Sequence, residues 1–402
     1  MHVILLLGCF FGLLFIFGLL SEKLAELSIS APLVFTILGV LFSFTEGVEQ
    51  FTIGGENIEL IGQIALIAIL FTDASSISLK NFFKVYTWPV RMLFIGLPLT
   101  MLIGSIVAIP LFPEFDWITL AIMALILSPT DAALGQAVVQ SEKVPFKIRE
   151  SINVESGLND GLALPPILIL AGMLIGKGEL MTSSEITTYI LKQIIIGPAV
   201  GAALGWLGSK IINWSVRKQY SEHFFQGIAI VAIAIMAFVV ADELGGNGYM
   251  SAFCAGMFFN ADSKKTLERG QEFGEFLSQP LALFVFFVFG ATILPHYIEF
   301  ITVPVVIFSF LSLTVLRMIP VIISLIGTKI PMREQVFMAW FGPRGIASIL
   351  YFLLMVNNVP ELKDQNTIWA TVILTVALSI FFHGVSAVPY ANWLGKQKNQ
   401  HS

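Results

Sequence analysis

Two short polar stretches interrupt long apolar runs in the first half of the chain. One covers Ser128–Asp131, and the other covers Glu155–Asp160. Ionisable groups flanked by lipid-type residues are costly, and they usually face a partner or a water-filled cavity where they serve a function. Pro129 also removes a helical hydrogen bond just before Asp131, which predicts a broken helix at this point.

The second stretch has a spacing that suits ion binding. Ser156 and Asp160 are four residues apart, as are Glu155 and Asn159, so each pair shares one face of a helix and the two faces lie about 100° apart. Monovalent cations such as sodium are bound by several oxygen ligands, which hydroxyls, carboxylates and freed backbone carbonyls supply. A carboxylate withdrawn from water also binds a proton more readily. The same group could therefore hold either a cation or a proton, which is sufficient for exchange.

Two arginines fall deep inside predicted helices, Arg317 and Arg344. A buried arginine without a partner is prohibitively costly, so each needs an acid or a set of carbonyl groups. Glu155 is the best candidate partner for Arg317. Arg344 could complement backbone carbonyls or Asp131. We expect the main role of both arginines to be structural pairing.

The composition is that of an integral membrane protein. Hydrophobic residues make up 56% of the chain and charged residues only 12%, and the mean hydropathy is +0.86. The net charge of -5 gives no basic footprint for nucleic acid. Two cysteines in apolar runs and five scattered histidines without an HExxH pair indicate neither a disulfide nor a zinc site. We expect no cofactor and no enzymatic activity.

The apolar runs predict an all-α polytopic protein with about thirteen transmembrane helices. The first run is interpreted as an uncleaved span rather than a signal peptide. The predicted spans lie near residues 3–20, 30–45, 58–74, 88–112, 116–139, 148–175, 185–213, 224–242, 247–261, 276–294, 298–326, 335–357 and 367–390.

The loops between these spans alternate in charge. One side is basic: Lys23, Lys80, Lys84, Lys143, Lys147, Arg149, Arg217, Lys218, Lys264, Lys265, Arg269, Lys329, Arg333, Lys396 and Lys398. The other side is mainly acidic, although it also holds Lys177 and Lys363: Glu46, Glu49, Glu114, Asp116, Asp242, Glu243 and Glu299. The positive-inside rule then predicts an N-terminus outside and a C-terminus in the cytoplasm. We expect the membrane to be the plasma membrane.

The fifth and twelfth predicted spans are interrupted at matching places. The twelfth carries Gly342, Pro343 and Arg344 in its middle, as the fifth carries Pro129 and Asp131. Spans seven apart cross the membrane in opposite directions, so the pattern predicts inverted repeats with two interrupted helices. We expect one transporter domain over 1–402, with repeats near 1–175 and 224–390 and a linker helix at 185–213. Two ordinary proline kinks are the simpler alternative.

Small residues at Gly197, Gly201 and Gly205 in the seventh span form consecutive small-xxx-small steps. Such steps permit close approach of helices. We expect packing within one protomer rather than a dimer interface.

At these positions the chain resembles the cation–proton antiporter superfamily, in its NhaP-like branch. The resemblance covers nearly the whole chain and rests on the motifs named above together with the thirteen-span pattern. It implies a homodimer whose core contains two crossing broken helices. It also implies that Asp160 carries the ion and the proton, and that Glu155 and Arg317 form a structural ion pair. The implied ligands of a bound sodium ion are Asp160, Asp131, Thr130 and Ser156, with Asn159 beside them.

Two positions differ among members of that superfamily. Electrogenic relatives have a second aspartate where this chain has Asn159, so the resemblance implies electroneutral one-for-one exchange. Family members often have an acid directly after Leu-Phe in the third span, whereas Asp73 is shifted by one residue and its role stays open.

Three other functions compete with antiport of sodium, lithium or potassium against protons. A membrane-embedded aspartyl protease could use Asp131 and Asp160, but it would explain neither the paired breaks nor the two arginines. A channel would need a filter or a charged ring rather than one alternating site. A sodium-coupled symporter would need an additional pocket for an organic solute.

Overall fold

A computed structural model describes residues 2–26, 29–44, 56–76, 86–139, 141, 143–175, 183–259 and 264–398. These residues form helices and no β-strand. Nine of the described helices are long and apolar enough to cross a membrane, and Ala31–Ser43, Trp117–Ile126 and Ile346–Asn358 are shorter apolar helices. The chain is therefore an all-α multi-pass membrane protein, as its composition predicts.

Each of the thirteen predicted spans corresponds to one helix or to two or three helical segments in series. The first to fourth are His2–Glu26, Ala31–Ser43, Glu56–Ser76 and Thr87–Leu111. The sixth to ninth are Phe146–Leu174, Ser183–Arg217, His223–Glu243 and Gly248–Phe258. The tenth is Lys264–Val288 continued by Phe289–Ile293 and Leu294–Tyr297, and the thirteenth is Asn366–Lys398.

Three spans are interrupted. The fifth consists of Trp117–Ile126 and Ala132–Val139. The eleventh consists of Val303–Leu313 and Val315–Ser324. The twelfth consists of Met332–Trp340 and Ile346–Asn358, followed by the short helix Pro360–Lys363. The breaks predicted in the fifth and twelfth spans are confirmed, whereas the non-helical backbone of Thr314 in the eleventh was not predicted.

Two helices extend well beyond their predicted bounds. The tenth begins at Lys264 rather than near residue 276, and the thirteenth continues to Lys398 rather than ending near residue 390. These extensions are polar but helical, so hydropathy does not mark them. The predicted loop residue Arg269 thus lies on a helix, where its guanidinium donates a hydrogen bond of 2.8 Å to Gln226.

Some charges used to predict the orientation lie outside the described residues. These are Glu46, Glu49, Lys80, Lys84 and Lys177. The orientation of the chain in the membrane therefore stays a prediction.

The sixth helix is the central element and packs tightly on the ninth. A Cβ atom at Gly157 would overlap the ring of Phe253, and one at Gly161 would overlap Met250. The Asn247 side chain also donates a hydrogen bond of 2.8 Å to the Gly161 carbonyl. Glycines therefore bring the polar middle of the sixth helix close to its neighbour.

The glycines of the seventh helix also approach the ninth. Cβ atoms at Gly197, Gly201 and Gly205 would collide with backbone atoms of Asn247, Ser251 and Ala255 respectively. The prediction that this stripe packs within the protomer is confirmed.

This close approach generates a stability prediction. We expect Gly201→Ala to destabilise the protein by about 1–3 kcal/mol, because the new methyl group meets backbone atoms that cannot rotate away. Gly172→Ala is the matched control, since a Cβ there has open space and alanine is favoured over glycine in a helix by roughly 0.5–1 kcal/mol. Thermal unfolding in one detergent gives both values. Equal stability of the two variants would contradict the packing.

Candidate functional site

The break in the fifth span leaves helix-terminal carbonyl groups inside the protein. The first segment ends at Ile126 and the second begins at Ala132. Ser128 and Thr130 are fully buried in the connection, and Asp131 is nearly so. Buried carbonyls without donors are costly, so this break requires a partner.

Arg344 from the break in the twelfth span supplies that partner. Its guanidinium donates to the Pro129 carbonyl at 2.8 Å and also to the Ser128 carbonyl. The positive charge of Arg344 thus lies at the C-terminal end of the helical segment Trp117–Ile126, where the helix dipole favours it. Of the two alternatives for Arg344, the carbonyls are the observed acceptors.

Asp131 makes the reciprocal contact. Its Oδ2 atom accepts a hydrogen bond of 2.6 Å from the Ile346 backbone N–H, the first residue of the twelfth span's second segment. Its own N–H donates to the Pro343 carbonyl at 2.7 Å. A negative charge at a helix N-terminus is stabilising. Gly345 is required here, because a Cβ atom would overlap the Asp131 carboxylate.

Glu155 and Arg317 form a buried bidentate ion pair. The two guanidinium nitrogens lie 2.8 and 2.9 Å from the two carboxylate oxygens, and both side chains are almost fully buried. A Cβ atom at Gly342 would collide with this guanidinium. The pair suggested by the sequence is therefore present in the structure.

The same glutamate belongs to a network that fixes Thr130. The Asn159 amide nitrogen donates to the Thr130 hydroxyl at 2.7 Å and to Glu155 at 3.1 Å. The Asn159 carbonyl accepts from the Thr130 N–H at 3.3 Å. The Thr130 hydroxyl also lies 2.9 Å from the Ser156 hydroxyl and 3.3 Å from Glu155. Asn159 and the Thr130 hydroxyl thus contact the ion pair directly, and the Ser156 hydroxyl is linked to it through Thr130.

Asp160 stands apart from both sets of contacts. Its side chain is 2% exposed, and its Oδ1 atom is buried with no hydrogen-bond partner in the part of the chain that the structure describes. Asp131 and Glu155 are near enough to act on it electrostatically. A buried carboxylate oxygen without a donor can accept a proton or contribute a ligand to a cation.

Two tyrosines, Tyr351 and Tyr249, lie near Asp160. The Tyr351 hydroxyl donates a hydrogen bond of 2.6 Å to the Asp160 main-chain carbonyl. Tyr351 and Tyr249 also line a cavity of about 280 Å³, whose lining includes the acids Glu59 and Asp242. Sequence reasoning did not identify Tyr351 or this cavity. A tyrosine in an apolar helix has an ordinary packing role, so its partner could not be inferred.

Asp73 lies half-buried in the third helix. Glu275 and Asp131 are close enough to act on it electrostatically. The role of Asp73 stays open.

Comparisons with known proteins agree with this architecture. A family model described as "Sodium/hydrogen exchanger, transmembrane" matches residues 7–393. The sodium proton antiporter MjNhaP1 from Methanocaldococcus jannaschii, solved at pH 8, superposes with a TM-score of 0.79 and 21% identity, covering 98% of this chain and 100% of that chain. This likeness shows the fold.

Curated relatives are similar over most of this chain. The K(+)/H(+) antiporter NhaP of Alkalimonas amylolytica is 29% identical over 393 residues, which is 95% of this chain and 66% of that protein. The K(+)/H(+) antiporter NhaP2 of Shewanella oneidensis is 24% identical over 370 residues, or 92% of this chain and 63% of that protein. The Na(+)/H(+) antiporter 2 of Zygosaccharomyces rouxii is 27% identical over 312 residues, or 69% of this chain and 38% of that protein. The chain spans about two thirds of the length of the first two relatives.

The buried ion pair generates a second prediction. Glu155→Ala leaves the Arg317 charge uncompensated, which typically costs about 3–5 kcal/mol. We expect a large fall in melting temperature that is partly recovered when Arg317 is also replaced by methionine. Glu114→Ala, at an exposed acid, is the control. A Glu155→Ala protein with the wild-type melting temperature and no transport would show that Glu155 acts in transport rather than in folding.

Proposed function

Because the chain belongs to the transmembrane sodium/hydrogen exchanger family, we propose that it is a secondary active antiporter. It exchanges a monovalent cation for protons across the membrane. Sodium is the proposed cation, with lithium and potassium as alternatives, since relatives named above are described as sodium/proton or as potassium/proton antiporters. The comparisons give no support to a symporter or to a membrane protease.

One observation carries this proposal: the unpartnered buried oxygen of Asp160. The other acids around the two breaks are engaged, because Glu155 pairs with Arg317 and Asp131 caps a helix. Asp160 is thus the proposed carrier of both the cation and the proton. Since one carboxylate cannot be neutralised by both at once, cation and proton compete and cross in opposite directions.

We propose that the remaining cation ligands come from the fifth and sixth spans. Thr130 and Ser156 offer hydroxyl oxygens within the hydrogen-bonded network beside Glu155. Asp131 offers a carboxylate whose position is fixed by the twelfth span. Asn159 positions Thr130 through two hydrogen bonds. In the proposed alternating-access cycle, these groups are accessible from one side of the membrane at a time.

We also propose the arrangement of the protein in the cell. It is a homodimer in the plasma membrane, with its N-terminus outside and its C-terminus in the cytoplasm, and it serves pH homeostasis. The fold is divided into inverted repeats near 1–175 and 224–390, joined by a linker helix within Ser183–Arg217. The charge alternation of the loops supports the orientation.

The site assignment leads to a third prediction. We expect Asp160→Asn to abolish cation-dependent proton flux in proteoliposomes, because the amide can neither bind the proton nor neutralise the cation. Size-exclusion chromatography and thermal melting should still show a folded protein. Asp364→Asn, at an exposed acid, is the matched control and should exchange at the wild-type rate. The flux is followed with an enclosed pH dye for sodium, lithium and potassium separately. Retained flux in Asp160→Asn would reject Asp160 as the carrier.

The stoichiometry leads to a fourth prediction. With an amide at Asn159 and paired charges at Glu155, only Asp160 is left to trade one proton for one cation. We therefore expect the endpoint of sodium–proton exchange to be independent of voltage. A charge moved across the full membrane would change the free energy by about 2.3 kcal/mol per 100 mV.

A thiocyanate gradient sets the voltage in this experiment, because a potassium gradient could itself drive a transporter that accepts potassium. The sodium and proton gradients are then adjusted until the net flux vanishes. We expect that point to occur where the two gradients are equal, at every imposed voltage. A voltage-dependent null point would reveal a second proton carrier, with Asp131 as the first residue to replace.

A further inference from the structure

The thirteenth helix passes beside the break in the twelfth span with two polar side chains directed to it. Ser379 and His383 are one helical turn apart, and both are fully buried. Neither residue belongs to the ion-binding set described above. No sequence motif indicated either residue, apart from the presence of a histidine within an apolar span.

Two backbone groups at the twelfth-span break contact these side chains, and one of them, the Trp340 carbonyl, also accepts a hydrogen bond of 2.8 Å from the Gly342 N–H. At one end, the Trp340 carbonyl closes the first segment and lies 2.9 Å from the His383 Nε2 atom. Because a carbonyl can only accept, Nε2 carries the proton of this bond. At the other end, the Arg344 backbone N–H donates to the Ser379 hydroxyl at 2.6 Å.

The two side chains are also joined to each other. The Ser379 hydroxyl and the Ser379 main-chain carbonyl each lie 3.1 Å from the His383 Nδ1 atom. In the tautomer with its single proton on Nε2, the ring accepts at Nδ1, and the serine hydroxyl is the group that can donate to it. The result is one chain of hydrogen bonds from the Trp340 carbonyl to the Arg344 N–H.

We propose that Ser379 and His383 form a clamp that fixes the two ends of this break relative to each other, and that the apparent cation affinity of the transporter depends on it. Both are positioning residues, since neither belongs to the proposed cation site. The inference rests on the proposed function for its effect on affinity, whereas its effect on the break can be measured without transport.

The route from the clamp to the site is short. Arg344, whose backbone is held by Ser379, donates to the carbonyls at the fifth-span break. Its neighbours Pro343 and Ile346 hold the backbone and the carboxylate of Asp131. A shift of the twelfth-span break would therefore move the Asp131 carboxylate and the Thr130 backbone together.

The first test measures the break itself. Hydrogen–deuterium exchange of the wild-type protein in detergent should show a protected amide at Arg344. We expect Ser379→Ala to raise its exchange rate roughly tenfold or more, since a buried N–H loses its acceptor. Thr375→Val is the matched control on the same helix, because the Thr375 hydroxyl bonds to the Thr371 carbonyl within that helix. Unchanged exchange at Arg344 in Ser379→Ala would overturn the clamp.

The second test measures transport in proteoliposomes. We expect His383→Leu to raise the KM for the cation by roughly fivefold to tenfold with a smaller change in the maximal rate per folded protein. His383→Gln should recover much of the loss, because an amide offers both a donor and an acceptor. Thr375→Val should leave both parameters at wild-type values.

The outcomes separate the clamp from the proposed function. If wild-type protein exchanges no cation, the proposed function fails and the amide exchange still decides whether the clamp exists. If Ser379→Ala exposes the Arg344 amide but His383→Leu lowers only the yield or melting temperature, the link to affinity is rejected. Equal KM values for His383→Gln and His383→Leu would likewise reject it, since the ring would then act by its shape alone.

Discussion

A helix that stops inside a membrane leaves backbone carbonyl and N–H groups that no water can reach, and every feature of this site follows from that constraint. Each of two broken spans supplies the charge that the other lacks. Arg344 donates to the carbonyls of the fifth-span break, while Asp131 accepts from the N–H that opens the second half of the twelfth span. The two breaks thus stabilise one another, and neither arrangement would be tolerable alone.

This mutual capping limits what the remaining polar groups can do. Asp131 is held at a helix N-terminus, and Glu155 is held by Arg317 in a bidentate pair. Through Asn159 and Thr130 the ion pair also orders the fifth-span break. Paired charges therefore hold this part of the site together, and the Asp160 carboxylate is left as the group that we propose to bind a cation or a proton.

The sequence predicted the helices and the two breaks well, because hydropathy and proline act locally. It also identified the Glu155–Arg317 pair, since a buried arginine requires an acid and few were available. It did not decide between carbonyls and Asp131 as acceptors for Arg344, and it missed Tyr351 and the contacts of His383. These depend on how helices distant in the chain are placed side by side, for which a single sequence carries no local signal. The start of the tenth helix at Lys264 was missed because a polar helix outside the bilayer has no hydropathy peak.

The balance of buried charge links this architecture to the proposed stoichiometry. Around the two breaks, the acids Glu155 and Asp131 are matched in number by the bases Arg317 and Arg344, so these four groups leave no net charge. The carboxylate of Asp160 is then the one charge in this set without a counterpart. A single monovalent cation or a single proton is enough to neutralise it. The cation-bound site and the protonated site therefore have the same total charge. A buried net charge is costly to move through a membrane. The protein with an empty, charged Asp160 should therefore change the side to which its site opens least readily. This favours tightly coupled exchange over uncoupled leakage.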